Sequence, residues 1–252
     1  MPRWLRILLM VMIVAVFSVS FYLFFIRPYS FRWHLHMNRA PYYQKLPKGY
    51  RVCGMDISRY QGTIKWDKVA KYHDAEVPLE FVFVKATEGS NYVDDSFKRN
   101  FQEARKYGFT VGAYHYYIPQ VDPVQQADFF IRTVKLTKGD LPPVLDVEKS
   151  GHLMRPIFQR DVKLWITRIE KHYGIKPIIY TSYKFKKDYL DTDFFNRYPY
   201  WIAHYYVSSL TYTGNWSFWQ YTDMGYIPEI KGDVDLNVFN GTLGELYEMT
   251  VK

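Results

Sequence analysis

Residues 7–26 form a run of twenty positions without a charged side chain, set between Arg3 and Arg6 on one side and Arg27 on the other. About twenty apolar residues are needed for a helix to cross the hydrocarbon core of a bilayer, so the run predicts a single transmembrane helix. A cleavable signal peptide is the competing reading, but its apolar stretch is usually about 7–15 residues and ends at a small-residue site. Here the run ends Phe21-Tyr22-Leu23-Phe24-Phe25-Ile26, which favours an uncleaved anchor. Residues 1–6 are then a short tail, and 27–50, with Pro28, Pro41, Pro47 and Gly49, read as a stalk.

From residue 51 the pattern changes. Short β-branched and aromatic runs alternate with longer amphipathic stretches, as in βαβ units. The runs predict strands at 51–57, 81–86, 110–116, 143–147, 177–181, 200–204, 217–221 and 234–236. Helices are expected at 95–107, where Phe97, Phe101 and Ala104 fall at helical spacing before Gly108, at 122–134, and at 155–173, closed by Gly174. The last three strands are separated by too little chain for full crossover helices. The pattern therefore predicts a barrel of about eight strands over 51–248, with its helices concentrated in the first five units.

Composition adds two constraints. Hydrophobic residues make up 48% of the chain, with 24 Tyr, 18 Phe and 7 Trp, which is ample for a core and for stacking on sugar faces. The net charge of +8 comes almost wholly from residues 1–50, which hold seven Lys or Arg and no Asp or Glu. A nucleic-acid groove needs clustered cations in the domain itself, and none is evident, so no nucleic-acid partner is expected. Cys53 is the only cysteine; there is no internal disulfide or Cys-based zinc site, and a buried strand position is its expected place. No paired-His metal spacing, serine elbow, P-loop or dinucleotide fingerprint occurs. The acids described next are alternatively oxygen ligands for Mg²⁺ or Mn²⁺, but no metal or other cofactor is expected.

The strongest chemical signal is Leu141-Pro-Pro-Val-Leu-Asp-Val-Glu148, an apolar strand ending in two carboxylates. Period-two geometry puts Asp146 and Glu148 on one face, about 6.6 Å apart along the strand. Two such acids repel, which raises one pKa and keeps a proton available for donation. An ion pair with a barrel lysine such as Lys85 is the plainer alternative. Asp56 ends the first strand and Asp235 lies in the last, so all four acids can converge on one mouth, where barrel enzymes place their chemistry. Tyr60, Gln61, Tyr114, Tyr116, Tyr180, Trp219 and Gln220 lie at other strand ends as candidate substrate contacts. His115 either lines the cleft or is a satisfied core histidine.

Several motifs in order resemble glycoside hydrolase family 25, the lysozymes that cleave after N-acetylmuramic acid. They are Gly54-Met-Asp-Ile-Ser58 with Tyr60-Gln61-Gly62 and Trp66, Phe83-Val-Lys-Ala-Thr-Glu-Gly89, Gly112-Ala-Tyr-His-Tyr116, Gln126-Ala-Asp-Phe129, Pro143-Val-Leu-Asp-Val-Glu148, Trp201-Ile-Ala203, Trp219-Gln-Tyr221 and Val234-Asp-Leu-Asn237. The resemblance implies an α/β, TIM-like flattened (β/α)5(β)3 barrel, here preceded by a transmembrane helix. It also implies Glu148 as the acid, with Asp56, Asp146 and Asp235 in support.

The activity so implied is hydrolysis of the β-1,4 bond between N-acetylmuramic acid and N-acetylglucosamine. A non-catalytic glycan-binding or scaffold protein is the alternative, since fold alone does not exclude it. For the second catalytic function two routes stay open: attack by the substrate's own N-acetyl group oriented by Asp146, or by a water that an aspartate activates. The expected partners are peptidoglycan glycan strands and, through the N-terminal helix, the membrane. Basic residues on both flanks leave orientation undecided. The extracytoplasmic substrate places the domain outside a bacterial cell membrane, as a single-pass protein.

Overall fold

In the computed structural model the described residues are 2–22, 46–74, 78–205 and 207–252. The chain divides into two units, Met1–Ala40 and Pro41–Lys252. In the first, helix α1 (Arg3–Phe21) has no buried residue and is long and apolar enough to cross a membrane. At 1.5 Å per residue it is about 28 Å long. It starts at Arg3, four residues earlier than the charge-free run, because arginine is a good helix former and nothing breaks the turn. Residues 23–26 of the expected span and 27–45 of the expected stalk lie outside the described residues.

In the second unit eight strands close a barrel: β1 (Cys53–Ile57), β2 (Leu79–Glu88), β4 (Thr110–Tyr116), β5 (Val144–Asp146), β6 (Ile178–Ser182), β7 (Tyr200–Ala203), β8 (Phe218–Gly225) and β9 (Val234–Phe239), with a two-residue strand β3 (Tyr92–Val93) hairpinned onto β2. Strands β1 to β8 of the barrel run parallel, and closure comes from β9, which pairs antiparallel with both β8 and β1. Helices α2 (Trp66–Val69), α3 (Phe97–Lys106), α4 (Pro123–Thr133), α5 (Arg155–Tyr173) and α6 (Tyr183–Tyr189) occupy the first five crossovers, and α7 (Leu243–Glu248) follows the barrel. This is the (β/α)5(β)3 arrangement.

Alternation along the strands divides the core in two. Phe81, Phe83, Trp201 and Phe218 fill the barrel, with the Phe83 and Trp201 rings stacked at 4.4 Å. Gly54 and Gly112 make that filling possible: a Cβ on Gly54 would lie 2.3 Å from the Phe81 ring, and one on Gly112 2.5 Å from Phe83. The opposite strand faces (Met55, Val82, Val111, Leu145, Ile179, Ile202, Leu236) pack beneath the helices with Phe130, Phe158 and Trp165. Cys53 belongs to this outer layer, and burial pushes its thiol up to about 12.

Most element boundaries shift by a residue or two from the sequence expectation, with β2 longer at both ends, and some shifts are larger. The first strand begins at Cys53 rather than 51, while β8 and β9 run to Gly225 and Phe239, since an antiparallel pair keeps bonding past irregular register. The expected stalk also reaches into the folded body. Leu46 and Tyr50 pack on the outer core, with the Tyr50 ring 5.8 Å from Trp219. Finally, because β9 is antiparallel, the chain enters β1 and leaves β9 at the end of the barrel away from Ile57. The C-terminal tail is pinned there, with Val251 exchanging backbone hydrogen bonds with Gly139 and Asp140 ahead of β5.

Candidate active site

Inward-facing positions at the C-terminal ends of the parallel strands bring the acids together. Asp56 is the last inward residue of β1, and Asp235 stands directly opposite it in the β1–β9 register. Antiparallel β9 begins at this mouth, which is why an acid near its start joins acids at the ends of the other strands. Asp146 is in register with Tyr116 of β4 and Tyr180 of β6. Glu148 follows two residues later, exposed toward the cleft.

Asp56 is held from several sides. Its Oδ2 accepts hydrogen bonds from Gln220 Nε2 at 2.7 Å and Asn237 Nδ2 at 2.8 Å. Asn237 Oδ1 in turn accepts from Trp201 Nε1 at 2.7 Å, and Gln220 Oε1 accepts from the hydroxyls of Tyr180 and Tyr205, both at 2.6 Å. Burial pushes Asp56 up to about 7 despite the amide donors. Burial, and then the charge of Asp56, push Asp235 up to about 9. The two carboxyls are hydrogen-bonded to each other, and burial with their mutual repulsion favours the pair keeping a proton over both being charged.

The second pair is Asp146 and Glu148. Burial, then the charge of Glu148, raises Asp146 well above the usual carboxylate range, and Lys85 opposes the rise. Burial also raises Glu148, against the hydrogen bond from Asp146 and the charges of Lys149 and Lys85. The two carboxyls are hydrogen-bonded to each other, and burial with mutual repulsion disfavours their both being charged. Asp146 Oδ1 is buried without a partner among the described residues, an arrangement that costs about 1–3 kcal/mol unless a ligand or solvent satisfies it. Lys85 forms its ion pair with Glu88, at 2.6 Å, rather than with either acid.

The expected substrate contacts divide. Tyr114 is inward, and burial, then the charges of Asp56, Asp146 and Asp235, raise its phenol well above the usual range and keep it a donor. Tyr116 stands at the mouth with Lys85 Nζ 4.9 Å from its ring centre. Tyr180 lines the cleft, and Tyr60 is 78% exposed on the turn after β1. Gln220 is 2% exposed and acts on Asp56 rather than at the surface.

Trp219 is a correction. It is fully buried, faces the outer layer, and donates its indole N–H to the His204 carbonyl at 2.8 Å, because it sits one residue out of phase with inward Phe218 and Gln220. Gln61, half-buried, also braces the turn after β1: Oε1 accepts from the Ser58 N–H at 2.9 Å and Nε2 donates to the Asp233 carbonyl at 2.9 Å. His115 is a core residue, buried between Thr87 (2.8 Å) and Gln126 (3.2 Å) and stacked on Trp165; burial lowers it to about 3.

Four contributors escaped the sequence reading: Asn237, Tyr205, Tyr183 and His204. Asn237 was readable, being two residues from Asp235 and so on the same face. The others lie beyond the ends of β6 and β7, where alternation no longer applies. Together with Glu148 and Tyr180 the last three line a cleft of about 630 Å³. Among the described residues no three His, Cys, Asp or Glu side chains are arranged to hold a metal ion.

The sequence matches the family described as "Glycosyl hydrolases family 25" over residues 55–230. The chain belongs to that family. It is 34% identical to Lysozyme M1 of Streptomyces globisporus over 212 residues, covering 77% of this chain and 70% of that one. It is 45% identical to the protein YegX of Escherichia coli K12 over 203 residues, covering 80% and 74%. Among solved structures, the lysozyme of Streptomyces coelicolor superposes with a TM-score of 0.73 at 30% identity, over 81% of this chain and 98% of that one. As a family 25 member the chain is a glycoside hydrolase, a lysozyme.

Proposed function

We propose that this lysozyme cleaves the β-1,4 bond between N-acetylmuramic acid and N-acetylglucosamine in peptidoglycan, with Glu148 as the general acid. The observation that carries the reading is the Asp146–Glu148 pair: two hydrogen-bonded carboxyls, one buried at the end of β5 and the other two residues on and open to the cleft. Glu148 delivers the proton to the leaving oxygen. Asp146, deeper and with Oδ1 unpartnered, orients the substrate's N-acetyl group for attack on the anomeric carbon, the substrate-assisted variant of glycoside hydrolysis. The Asp56–Asp235 pair, fixed by Gln220 and Asn237, supplies negative charge near the cationic transition state without a second full ionisation. Tyr60, Tyr114, Tyr116 and Tyr180 contact the glycan.

The same reading makes α1 a membrane anchor and places the barrel outside the cytoplasm of a bacterium, against the cell wall. Digestion of purified cell wall with product analysis tests the whole proposal. The first product retains the β configuration, and Glu148→Gln lowers kcat by about 10²–10⁴ while glycan fragments still bind. Near wild-type turnover in Glu148→Gln would remove its role as acid. Inverted product would leave Glu148 in place and transfer the activation of water to Asp146, Asp56 or Asp235.

A further inference from the structure

The cleft beside Glu148 changes chemical character from floor to rim. Its floor carries Glu148, whereas the rim is formed by α6 and carries Lys184 and Lys187. Lys184 pairs with Asp188 one helical turn on. Among the described residues Asp188 is the only rim carboxylate lining the cleft, and it is held below the usual range first by Lys184, then by the charges of Arg155 and Lys187. Two lysines thus line the rim beside one carboxylate. Lys187 has no ion pair among the described residues; it is exposed, with Nζ 5.5 Å from the centre of the Tyr183 ring. That ring lies 5.3 Å from His204 at an interplanar angle of 31°, so the cation tops an aromatic wall leading down to Glu148.

We propose that this rim is a carboxylate-reading subsite, in which Lys187 engages an anionic group borne by the muramyl unit and makes the acidic polymer a better substrate than a neutral glycan. The inference rests on the peptidoglycan reading above. Its physical basis is charge balance along the cleft. Glu148 in the cleft, with the other acids buried behind it, disfavours an anionic polymer, and a neutral sugar gains nothing from an unpaired ammonium. A cation on the wall offsets the repulsion only for a substrate that brings a carboxylate. Two sources share that chemistry: the stem peptide, and the lactyl group once the peptide is removed.

Three substrates separate the possibilities: wall glycan with free stem-peptide carboxylates, strands stripped of peptide by an amidase and so bearing free lactyl carboxylates, and wall whose carboxylates have been amidated with glycinamide. The release of reducing ends by the full-length protein is compared for wild type, Lys187→Glu and Lys187→Arg. Charge reversal raises KM about three- to fivefold on the substrate whose carboxylate is read, as expected for an exposed charge pair. The arginine variant retains wild-type KM, and the effect fades at about 0.5 M salt. Loss on peptide-bearing wall assigns the stem, and loss on stripped strands assigns the lactyl group. An equal loss on the amidated wall, or no loss anywhere, overturns the subsite. A wild type that cuts none of the three overturns the peptidoglycan reading itself, and the subsite with it.

Discussion

Asp56 and Asp235 face each other in one register position, and each binds its proton more tightly in the fold than in an unfolded chain. Between the ordinary carboxylate range and the folded values of about 7 and about 9, the folded state therefore holds more protons. Stability then falls as pH rises through that window, by at most about 1.4 kcal/mol per pH unit for each mismatched proton. Asp235→Asn removes one such proton. Its melting temperature should exceed wild type by roughly 3 °C or more at pH 8.5, with little difference near pH 4 and with reduced turnover; a gain of equal size at both pH values would refute the linkage. Trp219 gives a contrasting test. Trp219→Ala should cost about 3–5 kcal/mol of stability, as for other buried tryptophans, while the protein that stays folded keeps its KM for glycan. A rise in KM without loss of stability would return Trp219 to the cleft. The sequence held the signal for this placement, because inward Tyr114 and Gln220 fix the phase of β4 and β8 and put His115 and Trp219 on the other face.

At the scale of elements, the strands and the three long helices were legible because each repeats a period over enough residues to be counted. Helix α5 matches its expected limits, ended by Gly174 in the left-handed region at φ 69°. Helices α2 and α6, with four and seven residues, and two-residue β3 are too short to show a period. The direction of β9 was not legible either, since alternation is the same whichever way a strand runs. Strand β1 offers a test of how tightly an element sets the site. Gly54→Ala drives a methyl into the Phe81 ring inside the barrel, at a cost of about 1–3 kcal/mol for overpacking. Because Asp56 lies two residues on, kcat should fall by a larger factor than KM rises. Wild-type kinetics together with wild-type stability would show that β1 shifts without consequence.

For the whole molecule, the two units predict separable behaviour. The full chain should sediment with membranes and resist extraction by high salt, since apolar insertion is not screened as surface charge is. Release by salt alone would point to a peripheral tail instead. A chain truncated to begin at Leu46 keeps Tyr50 against Trp216 and Trp219 and should remain folded and active. One beginning at Cys53 loses those contacts and should melt lower, which the sequence boundary at 51 did not foresee. The antiparallel closing strand has a practical corollary for attachment. Both the entry into β1 and the pinned C-terminal tail lie at the closed end of the barrel, away from the acids. Cargo joined at the C-terminus, or at the start of a barrel cut to begin at Leu46, meets the scaffold at its blind side and leaves the substrate's approach unobstructed.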